Sequence, residues 1–359
     1  MAYIPPTTHV TLLATLRRER RLPTPGEVVV APNQRVEAAD VVAHALVAEQ
    51  HRLLDVARAL GVPNDKVAAF MLKQEGEPVK KDEPIARRKT ALGLGSKTVY
   101  SPVEGYLMLV NNGKALLAAI SKEFEVRAGV PGTIANIDRE YGVVVETTGA
   151  LLEGVWGNGK EDYAVISVVG AAPTDVLLSE QVDVSMRSTI LAVGTLQDDD
   201  AFRRLSEMGI RGLIVGSLNA ALIPAVKKLE IPVVVTDGFG AQGFSSPAYT
   251  LLVSNAGREA WVNARPWNRF AGGRPEVIVP LASPGQPPAL PIDGDALAVG
   301  KRVHVRRGPA AGATGTVAAL SEQPVRLPSG VRARVAAVES EDSAGRTLSV
   351  PFANLEILE

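Results

Sequence analysis

Four cations stand close together in the run "GKRVHVRRG": Lys301, Arg302, Arg306 and Arg307. Guanidinium and ammonium groups at this density suit phosphate, because each contact releases a counterion and positions a nucleic-acid backbone without reading its bases. From Leu297 to Glu359 eight basic residues stand against six acids, so the excess is small and concentrated at that turn. RNA, a ribonucleoprotein or a protein partner is the expected contact of these four residues.

A second constellation sits where three β-like runs end: Thr195 with Gly194, Ser217 with Gly216, and Asp237 with Gly238. If those runs are parallel strands, their carboxyl ends open a crevice, and Thr195, Ser217, Asp237 and Gly238 become a candidate small-ligand site. No GxGxxG follows the first run, which disfavours a dinucleotide.

Other motifs fall short of their chemistry. "GVWGNGKE" places Gly154, Gly159 and Lys160 as a phosphate loop would, but Glu161 stands where a hydroxyl should meet Mg²⁺. It reads as a β-hairpin corner. "GLGSKT", Gly93 to Thr98, separates Gly from Lys and reads as a hairpin tip. His9, His44, His51 and His304 have no metal-ligand spacing, and "DDD" at Asp198–Asp200 suits a helix start. There is no Cys, which removes disulfides, thiolate metal sites and cysteine nucleophiles together. No cofactor and no metal are expected.

The elements that must position these residues follow from composition and period. At 359 residues with 46% hydrophobic and 21% charged, the chain can bury several cores, and a net charge of −1 gives no global pull toward polyanions. With 33 Gly and 25 Pro, many turns and short strands are expected. No secretory pattern opens the sequence and no apolar run is long enough to span a bilayer, so a soluble, cytoplasmic protein with no membrane partner is expected.

Residues 1–173 read as short strands punctuated by Gly and Pro, with an echo between "VEAADVVA" (Val36 to Ala43) and "VKKDEPIA" (Val79 to Ala86). A helical pair is expected near 51–74, in "LLDVARALGVPNDKVAAFMLK". Residues 174–281 change period. "TILAVG", "GLIVGS" and "PVVVTDGFG" read as strands, separated by helices in "DDDAFRRLSEMG" and "NAALIPAVKKL". That alternation predicts parallel pairing in a small Rossmann-like α/β unit. Residues 282–295 are a Pro-rich linker, and 296–359 form a final β unit. The expected class is therefore multi-domain α/β plus all-β.

Two family resemblances emerge from these residues. "VKKDEPIA" followed by "SPVEG" resembles the paired turns of biotinyl and lipoyl domains, which implies a barrel-sandwich hybrid in the first region. Lys81 replaces the usual glycine, and Leu94 stands where those families carry the modified lysine, so the prosthetic group is not implied. "GKRVHVRRGPAAGATGTVAALS", with Gly308, Gly312 and Gly315 at its corners, resembles the KOW motif of NusG-type factors and some ribosomal proteins. That resemblance covers about 60 residues and implies an SH3-like barrel.

The leading expectation is a non-enzymatic cytoplasmic scaffold whose KOW module contacts RNA, a ribonucleoprotein or a protein partner. A ligand-binding or catalytic role at the strand-end crevice is the alternative. A third reading uses the hybrid fold as a docking surface within a larger complex.

Overall fold

Alternate residues of the run Ile190–Leu196 enter two different cores, and this alternation organises the centre of the structure. The computed structural model describes residues 3–89, 95–268, 273–282, 285–341 and 345–359. Ile190 and Ala192 pack with Ile214, Val234 and the helix Ser246–Ser254 on one face. Leu191 and Val193 pack with Leu213, Val215, Val233 and the helix Asp199–Met208 on the other. Helices on both faces require strands apolar on both faces, as these are.

The strands Glu161–Val169, Ile190–Leu196, Gly212–Leu218 and Val233–Phe239 pair in parallel. They belong to an eleven-stranded sheet that continues through antiparallel partners Glu259–Asn263, Glu276–Pro280 and Gly142–Glu153. The boundary expected at 173/174 therefore lies beside a continuous sheet. Glu161–Val169 hydrogen-bonds on both sides, whereas its sequence shows only the Gly170 and Pro173 punctuation that follows.

Helix ends obey local rules. Asp198 caps Asp199–Met208 by accepting from the Asp200 and Ala201 amides, and Gly209 stops it in the left-handed region at φ 76°. The run after Asn219 is shorter than expected, a 3₁₀ turn Ala220–Leu222 and one turn Ile223–Val226.

The helical pair expected near 51–74 is present in two short pieces, starting later than expected. Val41–Asp55 is one long strand, so residues 51–55 pair with Lys114–Ala118 rather than coiling. Only Val56–Leu60 is α-helix, capped by Asp55 and closed by Gly61, and Asn64–Phe70 is 3₁₀. Cross-strand hydrogen bonds outweighed the helical period, and Pro63 kept the two short pieces apart.

Val41–Asp55 and Lys114–Arg127 form a long ribbon at the centre of a five-stranded sheet, leading to a unit with its own core, including Val56, Leu60, Ile85, Leu107 and Leu117. The echoed octapeptides make equivalent turns. Asp40 accepts from the Glu37 amide and Glu83 from the Lys80 amide, each at 2.8 Å. Lys97 faces Arg88 across the hairpin there, while Gly93 and Leu94 lie outside the described residues.

The C-terminal unit is a six-stranded sheet packed on a core that includes Val303, Val317, Val338 and Ile357. One edge is Thr7–Thr8, pairing in parallel with Leu355–Leu358 across nearly the whole chain. The Pro-rich residues also touch the body: Ala289 accepts from the Thr15 amide at 3.1 Å, and Pro288 from its hydroxyl at 2.6 Å. Of the three glycines, only Gly308 and Gly312 adopt positive φ. Gly315 lies inside the strand Thr314–Leu320, where a Cβ would sit 2.2 Å from the Glu339 carbonyl. Among the described residues no helix is long and apolar enough to cross a membrane.

Candidate functional site

The strand Arg302–Val305 sends Val303 and Val305 into the C-terminal core, so Arg302, His304 and Arg306 project from its other face. That face is not free. Arg302 makes two bonds to Glu341, at 2.8 and 2.6 Å. Lys301 binds Asp295 and, at 3.2 Å, Glu359. Arg306 lies 3.4 Å from Glu356. Of the four cations singled out by sequence, Arg307 alone has no acidic partner among the described residues, and it is exposed.

His304 is 4% exposed despite facing outward, because other elements cover it. Its Nδ1 lies 2.8 Å from Oε1 of Glu356. The Thr8 hydroxyl donates to Oε2 of Glu356 at 3.0 Å and accepts from Arg274 at 2.8 Å. Arg274 and Arg306 stack over the same ring, Trp267, at 5.0 and 5.7 Å. Arg274 also approaches Glu153 at 3.9 Å, and the His9 amide donates to that carboxylate at 3.0 Å.

Asp237 interacts electrostatically with His304 from the end of the parallel layer. Two candidates proposed for separate reasons, Arg306 and Asp237, thus meet around one histidine. Asp237 accepts from the Thr236 hydroxyl at 2.6 Å and from Ser245 at the start of Ser246–Ser254.

The charges are mutually set. Burial pushes Asp237 above its ordinary 3.8, opposed by His304 and by the Thr236 and Ser245 donors. Burial alone would lower His304, but the Glu356 bond and the Asp237 and Glu356 charges outweigh it and Arg306, and hold the imidazole above 6.5. Burial would raise Glu356, yet His304, Arg306 and Arg274 hold it below 4.5. Among the described residues the Nε2 of His304 has no hydrogen-bond partner. A carboxylate–imidazole pair can move a proton, and this one is buried, with His304 at 4% and Glu356 at 2% exposure.

The crevice residues divide. Thr195, Ser217 and Gly238 are register partners on neighbouring strands. The Thr195 and Ser217 hydroxyls are buried without hydrogen-bond partners among the described residues, while the space beside Gly238 is open. Gly194 and Gly216 are roofed by backbone at Pro173, Asp175 and Gly243.

Elsewhere the charges are spent. Lys160 binds Glu230, and Glu161 takes a bidentate bond from Arg20, so the phosphate-loop near miss is internally committed. A cavity of about 300 Å³ beside Gly129, Tyr163 and Trp261 is lined by that pair and by Arg211 with Asp162. No group of His, Asp and Glu suited to a metal occurs among the described residues.

Sequence reading missed Glu356, Thr8, Arg274, Ser245 and Trp267. Glu356 carried the one legible signal, a lone acid inside the apolar run "LEIL". Thr8 lies 348 residues from it and carried none.

No family model, no curated protein and no solved structure matches this chain.

Proposed function

We propose that the chain is a non-enzymatic, cytoplasmic scaffold that engages a protein partner through its C-terminal unit, read as an SH3-like KOW module. One observation carries the reading. Three of the four cations at the KOW-like turn are satisfied by acids of the same chain, leaving Arg307 for phosphate. Phosphate affinity grows with each free cation, so this pattern favours a protein partner over RNA.

Supporting parts of the proposal are a Rossmann-like reading of the parallel layer and a barrel-sandwich-hybrid reading of the first region, residues 1–173. The acid-capped turns at Asp40 and Glu83 support the latter, because the hybrid is built from two related turns.

The test is affinity purification of the full chain from its native source, with and without ribonuclease. A stoichiometric protein that survives ribonuclease supports the reading. Loss of the partner on nuclease treatment restores RNA, and recovery of the chain alone overturns both.

The unpartnered hydroxyls of Thr195 and Ser217 favour a second reading, a small polar ligand bound beside Gly238. A thermal-shift screen distinguishes it: a stabilising compound whose effect vanishes in Ser217→Ala supports the crevice.

A further inference from the structure

Val325–Arg326 and Arg332–Ala333 form a two-stranded hairpin outside the six-stranded sheet. Its tip closes where Leu327 donates its amide to Val331 at 2.8 Å and Gly330 donates to Leu327 at 2.9 Å. Its base is fixed by Arg334, which donates to the Ser321 carbonyl at 3.2 Å and lies 4.8 Å over the Phe352 ring. A secured base with an exposed tip describes a presented element.

Arg326 and Arg332 are direct register partners, so their side chains leave the same face side by side. Like charges in that position repel. Neither arginine has a carboxylate partner among the described residues, and the nearby Glu322 pairs with neither. This contrasts with Lys301, Arg302 and Arg306, each of which is matched with an acid. The opposite face carries Val325 and Val331, 41% and 59% exposed. One face is thus unneutralised guanidinium and the other exposed aliphatic carbon.

We propose that this hairpin is the docking element for an acidic, partly apolar extended segment of a partner protein. The inference rests on the scaffold reading above and supplies the chemistry of the partner. Carboxylates accept the guanidinium fork in bidentate fashion and remove the cross-strand repulsion, and apolar side chains of the same segment cover the valines. Nucleic acid fits less well, because the hairpin has no aromatic ring on which a base could stack.

The test uses the full chain and a fluorescein-labelled Glu-rich peptide with interspersed Leu, read by anisotropy at two salt concentrations. Binding that weakens with salt, and weakens about tenfold or more in the Arg326→Glu, Arg332→Glu double variant, is expected. The single variant Arg332→Glu guards against misfolding, because it replaces the repulsive pair with an opposite-charge pair. It should keep or raise the melting temperature and still lose affinity.

Unchanged peptide affinity in either variant, or tighter binding of an oligouridylate of equal charge, overturns the proposal. A partner recovered equally well by the double variant overturns the hairpin while leaving the scaffold reading intact. Failure to recover any partner with the unmodified chain removes the scaffold reading instead.

Discussion

Nδ1 of His304 and Oε1 of Glu356 lie 2.8 Å apart, with side chains only 5% and 2% exposed. The two residues sit on neighbouring strands of the C-terminal sheet, yet the groups that complete their surroundings come from elsewhere. Thr8 enters from the first strand, Arg274 from the segment just before Glu276–Pro280 and Asp237 from the parallel layer. The pair is therefore a joint between parts of the chain, and its protonation bears on how firmly they hold.

Stability should depend on pH around this joint. His304 titrates above its ordinary 6.5, so its contribution is full below 6.5 and is lost as pH rises through the elevated folded value. Glu356 titrates below 4.5, so its contribution is present above 4.5 and is lost as pH falls through the depressed value. Melting temperature measured across pH should decline on the alkaline side for the unmodified chain. That decline should flatten in His304→Gln.

Removing one partner leaves the other buried and unbalanced. Glu356→Ala should destabilise by about 3 kcal/mol, read by urea unfolding, because His304, Arg306 and Thr8 all lose their acceptor. A loss below about 0.5 kcal/mol would mean that water reaches the cluster freely.

The cations at the turn should separate by partner. Lys301→Ala and Arg302→Ala should leave the salt dependence of any oligouridylate binding unchanged, since both charges are already matched. Arg307→Ala should flatten the log–log slope by about 0.7 if that residue touches phosphate. Equal slope changes in all three variants would show that the internal ion pairs open to admit RNA.

Two glycines in the opening motif should fail for different reasons. Gly312 has φ 91° with only Gln242 near a would-be Cβ, so Gly312→Ala should cost about 1–2 kcal/mol of backbone strain. Gly315→Ala should cost more, because a Cβ there runs into the Glu339 carbonyl at 2.2 Å. Thermal unfolding of the two variants side by side tests the order.

The acid-capped turns should respond alike. Asp40→Ala and Glu83→Ala each remove a side-chain acceptor for a backbone amide and should cost about 1 kcal/mol. Glu83 also pairs with Lys73 at 2.8 Å, so a slightly larger effect is expected there.

What could be read beforehand was local. The Asp198 cap, the Gly209 stop and the alternation of Val303 with Val305 are written in neighbouring residues, and the structure follows them. The helical period expected from residue 51 onward was overridden as far as Asp55 by a strand partner some sixty positions later, which no local window contains, and survives only in Val56–Leu60. His304 is the sharper case. Its place in an alternating strand predicts an exposed side chain, yet it is buried, bonded to Glu356 and within electrostatic reach of Asp237. The pairing of Lys301, Arg302 and Arg306 with acids was likewise invisible, because charge spacing along a chain does not show which acids lie across a sheet.

The parallel pairing of Thr7–Thr8 with Leu355–Leu358 has a consequence for the order of folding. Thr8 and Glu356 are 348 residues apart, so closing that contact means drawing together a loop of almost the entire chain. Such long-range strand pairs form slowly, after the local hairpins and helices around them. The edge of the C-terminal sheet and the acceptor for Thr8 should thus be completed last. Until that pairing closes, the Leu355–Leu358 edge is open to strands of other copies, so slow closure leaves an edge that can pair between chains.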